Sequence, residues 1–268
     1  MDVYHLKQIP SNAQIRKYIR RIVFGKNIFC PACTSHNVTL HDNRYRCRRC
    51  RKTFSLLSHT WLRDSKLPLQ HFWLILWSWT KQILVKQTQD LVDLSEKSVR
   101  HWFDLFRNHL PKDQEILERM VQLDEAYFGR FGKIALILGK QIGTRKLAYN
   151  ILLSDSPGKI DAINFLKGNI KPETKLATDG SVIYKSIDRH FPVTHTFDIH
   201  KKFEFTNTSE IEGMFGLLRT FIRRMYHHVT TEKFEEYMLE FYCRFSHPEI
   251  FISPYHYLQN TLVLGPSG

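Results

Sequence analysis

Cysteine, glycine and proline are scarce in this sequence, whose 268 residues include 5 Cys, 12 Gly and 10 Pro. Five cysteines do not make a disulfide-stapled scaffold, and with 43% hydrophobic residues neither a disordered nor a low-complexity chain is expected. The densest apolar run, residues 72–79, is far too short to span a bilayer. The basic N-terminus lacks the apolar block and cleavage site of a signal peptide. We therefore expect an intracellular, soluble protein.

Acidic residues are scarce only in the first part of the chain. Residues 1–110 hold 19 Lys and Arg against 7 Asp and Glu, a net charge of +12, whereas residues 111–268 hold 20 against 19, a net charge of +1. A strongly basic first part beside a nearly neutral remainder indicates a polyanionic partner that is bound mainly by the first part. The alternative is a basic surface that only faces solvent.

Four of the five cysteines form two Cys-x-x-Cys pairs. The pairs are Cys30-Pro-Ala-Cys33 and Cys47-Arg-Arg-Cys50, with thirteen residues between them. Each pair presents two thiolates at one point, and a hairpin between the pairs can bring all four around a tetrahedral zinc ion. The alternative, disulfide bonding, conflicts with a reducing cytosol. The sequence therefore predicts a zinc ribbon, with Cys243 left as an ordinary core thiol.

Six cations lie within nine residues around the second cysteine pair: Arg44, Arg46, Arg48, Arg49, Arg51 and Lys52. A structural zinc ion needs none of them, so we expect them, and Arg48, Arg49 and Arg51 in particular, to contact phosphates. The alternative is a charged hairpin that is simply solvated.

A helical pattern begins at Leu67 and continues to Leu110. Its last helix is predicted to follow the N-cap Ser95 and to bury one apolar stripe, which leaves Lys97 and Arg100 exposed. A short helix, a tight turn and a helix with a basic face form a helix-turn-helix candidate. The alternative is an ordinary helical bundle that links two domains.

The pattern changes to strands after residue 120. We predict strands at 121–129, 134–138, 147–153, 175–178 and 193–197, and helices at 157–168, at 181–190 and from about residue 210. Three strands, helix, strand, helix, strand and helix is the element order of an α/β ribonuclease H-like domain with a mixed sheet.

Three acidic residues occupy positions that this topology brings together. Asp124 lies on the first of these strands, Asp179 follows the fourth, and Glu212 lies in the first turn of the final helix. The first and fourth strands are neighbours in such a sheet, so the three carboxylates can converge. Together they would hold two divalent cations about 3.5–4 Å apart, an arrangement that activates a water or a 3′-hydroxyl and stabilises the leaving oxygen.

Each acid also has a purely structural interpretation. Asp179 followed by Gly180 is a common turn pair, and Asp124 fits an exposed strand position. Glu212 fits a capping box that begins at Ser209. Two neighbouring acids, Glu125 and Glu210, are rival candidates for the same roles.

The final helix carries cations on the flank of Glu212. An apolar stripe marks its buried side, and Glu212, Arg219 and Arg223 cluster together to one side of that stripe. Arg219 lies two turns after Glu212, where it would meet a DNA phosphate beside the acid, with Arg223 one turn further on. The alternative is a plain salt-bridged flank.

Six short motifs, spread over most of the chain, carry a resemblance to a known family. They are Cys30-Pro-Ala-Cys33, Tyr45-Arg-Cys-Arg-Arg-Cys-Arg-Lys-Thr-Phe54, Leu123-Asp-Glu-Ala-Tyr-Phe-Gly129, Ala177-Thr-Asp-Gly180, Asn207-Thr-Ser-Glu-Ile-Glu-Gly213 and Tyr226-His-His-Val229. Taken jointly they resemble a DDE-type insertion-sequence transposase, in the zinc-ribbon-bearing group related to the Merlin elements.

The resemblance implies a ribonuclease H-like domain that uses divalent metal to cut transposon ends and join them to target DNA. It implies that Asp124 and Asp179 are the two aspartates and Glu212 the third acid. Arg219 stands where the family usually has Lys, which keeps the charge but changes its geometry to a planar fork. Ser209 stands where many relatives have Asn or another polar residue, which is sometimes counted as the third metal ligand.

We therefore expect a DNA transposase with a zinc ribbon and basic arm at 1–60, a helical DNA-binding segment at 61–115 and a ribonuclease H-like catalytic domain at 116–268. The resemblance implies structural Zn²⁺, catalytic Mg²⁺ or Mn²⁺, double-stranded DNA as partner, and a homodimer or higher oligomer on that DNA. We expect it in the cytoplasm on DNA, or in the nucleus of a eukaryotic host. The alternatives are a non-catalytic DNA-binding descendant of such an enzyme and a plain nuclease of the same fold.

Overall fold

The structure, a computed structural model, describes residues 9–42, 44–129, 133–154, 156–198, 209–227 and 229–264. Asn207, Thr208 and His228, which belong to the motifs quoted above, lie outside these residues. The chain divides into two units, Met1–Pro111 with Glu249–Gly268, and Lys112–Pro248. The three-part division at residues 60 and 115 stays a prediction.

Both units contain helices and strands, which are numbered in chain order. The helices are α1 (Asn12–Phe24), α2 (Leu69–Thr80), α3 (Val85–Val92), α4 (Glu96–Asn108), α5 (Lys159–Asn169), α6 (Ser209–Tyr226), α7 (Thr231–Ser246) and α8 (Pro254–Thr261). The strands are β1 (Val38–His41), β2 (Arg44–Cys47), β3 (Thr53–Phe54), β4 (Met120–Phe128), β5 (Ile134–Gln141), β6 (Leu147–Leu152), β7 (Lys175–Asp179) and β8 (Thr194–Asp198).

A small antiparallel sheet, in the order β1-β2-β3, forms the predicted ribbon of the first unit. Tyr45 and Phe54 face each other across β2 and β3, and their rings stack at 5.4 Å. The sequence reading missed the helix α1 that precedes this sheet. Its signal is the capping box of Ser11 and Gln14, in which each side chain accepts the other's backbone N–H.

The remaining helices of the first unit pack around an aromatic core. Trp79 and Phe106 are fully buried and lie 5.5 Å apart, and Tyr257 of α8 packs against both. The Tyr257 hydroxyl donates a hydrogen bond to the Phe106 carbonyl at 2.8 Å. Residues after 248 therefore complete the core of the first unit, although they come last in the sequence.

The helix-turn-helix arrangement is present in α3 and α4. Ser95 caps α4 as predicted, since its hydroxyl accepts a hydrogen bond from the Ser98 N–H. Asp93 ends α3 in a left-handed conformation, with φ of 50°, and α4 begins at Glu96, so the turn between the two helices is short. The described structure thus contains the short helix, tight turn and second helix that the sequence indicated.

The second unit is built on a five-stranded mixed sheet in the order β6-β5-β4-β7-β8. The neighbours β4, β5 and β6 run antiparallel, whereas β7 is parallel to both β4 and β8. This is the predicted ribonuclease H-like topology, in which the first strand of the domain and the fourth lie side by side. The predicted fold class is confirmed.

The two faces of this sheet carry different helices. Leu123 of β4 and Leu176 of β7 pack with Phe165 of α5 in a fully buried cluster on one face. On the other face, the Ile211 N–H of α6 donates to the buried side-chain oxygen of Gln122 at 2.8 Å. Alternate residues of β4 thus face α5 and α6, as the period of a strand requires.

The helix predicted at 181–190 is wrong. The structure has two short 3-10 turns there, Val182–Tyr184 and Ile187–Arg189, separated by Ser186 in a left-handed conformation with φ of 55°. A residue in the left-handed conformation ends a right-handed helix. The apolar residues that suggested one helix therefore belong to two separate turns. Among the described residues, no helix is both long and apolar enough to cross a membrane.

Two glycines, one on the sheet and one on α5, test how closely α5 packs on the sheet. A Cβ on Gly139 of β5 would lie 3.0 Å from the Phe165 ring and 3.1 Å from a methyl carbon of Leu117, both fully buried. We expect Gly139→Ala to lower the free energy of unfolding by about 1–3 kcal/mol through overpacking. Gly168→Ala on α5, where nothing lies within 4 Å, should instead raise it by about 0.5–1 kcal/mol.

Chemical denaturation of both variants gives the measurement. An unchanged or stabilised Gly139→Ala would contradict the close packing of α5 on β5, whereas the Gly168→Ala result checks that the method resolves changes of this size.

Candidate functional site

The four cysteines predicted to bind zinc lie together in the ribbon. Their sulfur atoms all fall within 4.8 Å of one another, with Sγ–Sγ distances of 3.5 Å for Cys30 and Cys50 and 3.6 Å for Cys33 and Cys47. A zinc ion bonded tetrahedrally to sulfur at about 2.3 Å separates its ligand sulfurs by roughly 3.8 Å. All four are free thiols. The donor set and its spacing therefore fit a structural zinc ion.

Two of these thiols differ in acidity because their surroundings differ. The Cys50 N–H donates to the Cys47 sulfur at 3.5 Å, and this hydrogen bond is the main cause that lowers the pKa of Cys47 to about 6. Burial raises the pKa of Cys30 to about 11. Since zinc binds thiolates, Cys47 is already suited to ligation, whereas Cys30 must release its proton as the metal binds.

The cations predicted to contact DNA lie on the surface of the first unit. Arg48, Arg49 and Arg51 are exposed beside the second cysteine pair. Lys97 and Arg100 are exposed on α4, but Arg100 forms an ion pair with Glu96 at 2.6 Å. The three ribbon arginines therefore offer the denser positive surface.

Three acidic residues of the second unit lie together where the pairing of β4 with β7 ends. The parallel pairing of these strands ends at Leu123 opposite Thr178, so the next residues, Asp124 and Asp179, lie at the same edge of the sheet. Oxygen atoms of Asp124, Glu125 and Asp179 all lie within 4.8 Å of one another. Carboxylate oxygens at this spacing are the ligands that Mg²⁺ and Mn²⁺ prefer.

Hydrogen bonds hold these carboxylates in place. Asp124 Oδ1 accepts from the Glu125 N–H at 2.8 Å, and Asp179 Oδ1 accepts from the Ser181 N–H at 3.0 Å. The Ser181 hydroxyl in turn donates to Glu125 Oε1 at 3.1 Å. Asp179 itself ends β7, and its side chain accepts from the backbone just after the strand, which orients the carboxylate beside Asp124.

Crowding and burial make Asp124 an unusual acid. Burial is the main cause that raises its pKa from 3.8 to about 7, and the charges of Asp179, Glu125 and Glu212 raise it further. Burial also raises the pKa of Glu125. A bound divalent cation would offset this repulsion, and the donor set is thus chemically matched to one.

Glu212 and its rival Glu210 have different surroundings in α6. Glu210 forms an ion pair with Lys140 Nζ at 3.1 Å and accepts a hydrogen bond from the Gly143 N–H at 3.3 Å. Glu212 is exposed, and its charge acts on Asp124. Glu210 therefore holds the start of α6 against the sheet, whereas Glu212 is free of that role and its charge acts on Asp124.

Arg219 and Arg223 are exposed on α6, as predicted. The Arg219 guanidinium lies 5.6 Å from the ring centre of Phe128 and 6.0 Å from that of Phe215. Contact with two rings restrains the guanidinium, and because Arg219 is exposed its charge stays available to an anion.

Sequence reasoning missed the buried Lys140. Its side chain is 4% exposed and donates to the Gln141 and Thr144 carbonyls in addition to its pairing with Glu210. One lysine at the end of the otherwise apolar run 134–138 was the available signal, because a buried lysine requires an acidic partner.

Comparisons with known proteins agree with the motifs of the sequence. The ISXO2-like transposase domain family matches residues 158–246, a stretch that includes Asp179, Glu212 and Arg219. An uncharacterized protein in transposable element ISH50 of Halobacterium salinarum is 23% identical over 128 residues, which is 46% of this chain and 44% of that protein. The chain thus matches less than half of that relative's length. Both findings support an insertion-sequence transposase, as the resemblance implied.

Among solved structures, a simian T-cell lymphotropic virus intasome in complex with PP2A regulatory subunit B56 gamma is similar with a TM-score of 0.39 and 10% identity. The similarity covers 70% of this chain and 74% of that one. A TM-score of this size carries no weight, and the fold assignment rests on the strand order.

The cysteine cluster gives a direct prediction. Purified protein should contain about one zinc ion per chain, and Cys47→Ser should lose it, because three remaining thiols do not close a tetrahedral structural site. Cys243→Ala is the matched control, since this buried thiol lies outside the cluster and its variant should keep the metal. Metal analysis by mass spectrometry measures both. Stoichiometric zinc in Cys47→Ser would reject the four-ligand site.

Proposed function

We propose that the chain is a DNA transposase that binds transposon ends and catalyses metal-dependent DNA cleavage and strand transfer. The observation that carries the proposal is the end of the β4–β7 pairing, which sets Asp124 and Asp179 at the same edge of the sheet with their carboxylate oxygens within 4.8 Å. Three acids at one edge of a ribonuclease H-like sheet, with Arg219 two turns along α6, are the components that such chemistry needs.

In the proposed site, Asp124, Asp179 and Glu212 would hold Mg²⁺ or Mn²⁺. Divalent cations bound there supply an activated water or 3′-hydroxyl and stabilise the leaving oxygen at phosphorus. The protein supplies position: Asp179 is fixed by its turn, and the start of α6 is fixed by the Lys140–Glu210 pair. Arg219 would bind a phosphate near the acids and offset their repulsion of DNA.

The first unit would supply most of the DNA affinity. The ribbon arginines and the exposed face of α4 offer backbone contacts, and the ribbon is held by zinc rather than by a large core. Double-stranded DNA is the proposed partner, and we propose a dimer or higher oligomer on it, because two transposon ends must be handled together. A DNA-associated location in the cell follows from this function.

Amide substitutions of the acids test the catalytic part. Asp124→Asn, Asp179→Asn and Glu212→Gln should each abolish Mn²⁺-dependent cleavage of duplex oligonucleotides that carry the inverted repeats flanking the gene. Each substitution keeps the shape and removes the charge that holds the cations, so the loss should be severe, while DNA binding in a gel-shift assay persists.

Glu210→Gln is the matched control on the same helix. It should lower stability, because Lys140 stays buried without its charged partner, but it should leave cleavage measurable. Inactive Glu210→Gln with active Glu212→Gln would move the third acid to residue 210. Cleavage without joining of the cut ends in the wild type would indicate a plain nuclease. Tight DNA binding without any cleavage would indicate a non-catalytic binding protein.

The ribbon arginines give a prediction about affinity. Replacing Arg48, Arg49 and Arg51 together by Ser should weaken duplex binding and reduce the slope of log K against log salt by up to roughly 2.7, since each phosphate contact contributes about 0.9. Arg63→Ser is the control, because Arg63 is exposed in the same unit but pairs with Asp64. An unchanged slope in the triple variant, measured by fluorescence anisotropy, would exclude these arginines from the interface.

A further inference from the structure

Glu125 lies inside the acid cluster, although the resemblance assigns it no role. Its carboxylate oxygen lies within 4.8 Å of oxygens of both Asp124 and Asp179. Glu212, by contrast, is exposed and does not join that tight group among the described residues. The three acids in closest proximity are thus a different set from the three that the motifs indicate.

The two oxygens of Glu125 have different surroundings. Oε1 accepts the hydrogen bond of the Ser181 hydroxyl at 3.1 Å. Oε2 is fully buried, and within the described structure no group makes a hydrogen bond of full geometry to it. A buried carboxylate oxygen without a partner is costly, so one is expected to be satisfied by a cation or a proton.

A second buried group adjoins this oxygen. Tyr184 is 0% exposed, and its hydroxyl lies near enough to the Glu125 carboxylate for the two to interact. In the described part of the chain, this hydroxyl likewise has no hydrogen bond of full geometry. Tyr184 is therefore placed to donate a hydrogen bond to the Glu125 carboxylate and so to orient it.

A purely structural role does not account for this arrangement. The Ser181 hydroxyl needs only an acceptor, which a glutamine or any neutral oxygen would provide. A third negative charge within 4.8 Å of two others destabilises the protein without a cation, because like charges in a partly buried site repel strongly.

We propose that Glu125 is a fourth carboxylate of the metal centre, which binds the same divalent cation as Asp124 and Asp179. Ser181 and Tyr184 are its positioning residues. The inference rests on the proposed function, and it adds a ligand beyond Asp124, Asp179 and Glu212. The cation then sits deep at the edge of the sheet, and Glu212 completes the site from the exposed side.

The test measures Mn²⁺ binding by the full-length, zinc-loaded protein in the absence of DNA. Calorimetric titration gives the affinity, and the Mn²⁺-induced shift of the unfolding temperature gives a second measure of it. Glu125→Gln should weaken Mn²⁺ binding by at least the 10–100-fold that loss of even an outer partner costs. Without Mn²⁺ the same variant should be as stable as the wild type or more stable, since it removes repulsion and keeps an acceptor for Ser181.

Matched variants separate ligation from general charge and packing effects. Glu118→Gln removes a carboxylate that precedes β4 and pairs with Lys171, and it should leave Mn²⁺ binding unchanged. Tyr184→Phe should weaken Mn²⁺ binding less than Glu125→Gln, and it should add nothing in the double variant, because both act through the same carboxylate. Should Glu125→Gln fail to fold, Glu125→Asp carries the test, with weakened binding expected from its shorter side chain.

Wild-type Mn²⁺ affinity in a folded Glu125→Gln or Glu125→Asp overturns the inference, and so does a loss of metal-free stability with unchanged affinity. The result is independent of strand cleavage. A protein that binds Mn²⁺ through Glu125 but never cuts DNA would reject the proposed function and leave this inference standing. An active transposase whose Mn²⁺ affinity does not change in Glu125→Gln would support the proposed function and reject this inference.

Discussion

The burial of carboxylates at the edge of the β4–β7 pair, together with the repulsion among them, is the constraint around which the second unit is built. Because the pKa of Asp124 is raised from 3.8 to about 7, the folded chain retains a proton that the unfolded chain releases between these values. The group therefore lowers stability as pH rises through that window, which is the reverse of a salt-bridged aspartate. The hydrophobic cluster of Leu123, Leu176 and Phe165 must hold the strands together against it.

The start of α6 is held in place by polar contacts between its first residues and the sheet. Gln122 of β4 accepts the Ile211 N–H, and Lys140 of β5 pairs with Glu210. Both anchors come from strands that also carry or adjoin Asp124, so the sheet sets the position of Glu212 as well as that of the aspartates. A buried ion pair is weak support for stability as such. Its value here is to select one placement of the helix.

Local patterns in the sequence sufficed for much of this architecture. The strand patterns of β4 to β6, the N-cap at Ser95 and the cysteine spacing each depend on residues close in the chain, and each matched the structure. The two turns that replace the helix at 181–190 depend on Ser186, whose left-handed backbone leaves no mark in an apolar spacing. The docking of α8 by Tyr257 joins segments about 150 residues apart and has no local signal.

The candidate site, like the fold, could be predicted in part from the sequence. Asp124 and Asp179 could be placed together because the parallel neighbours of a ribonuclease H-like sheet are known once the element order is known. Glu125 could be named from the sequence only as a rival candidate, since alternation along a strand assigns it to the opposite face from Asp124. It reaches the cluster beyond Leu123, where the pairing of β4 with β7 has ended.

The separation of charge along the chain follows from this arrangement. A site that concentrates carboxylates repels the phosphates on which it must act, and the unit that carries it is nearly neutral overall. Arg219, stacked over Phe128 and Phe215, places one cation two turns from Glu212 at little cost in side-chain entropy. In the proposed function, most of the attraction to DNA would come from residues 1–110, which carry a net charge of +12. Binding and chemistry would then use opposite charges, each in its own part of the chain.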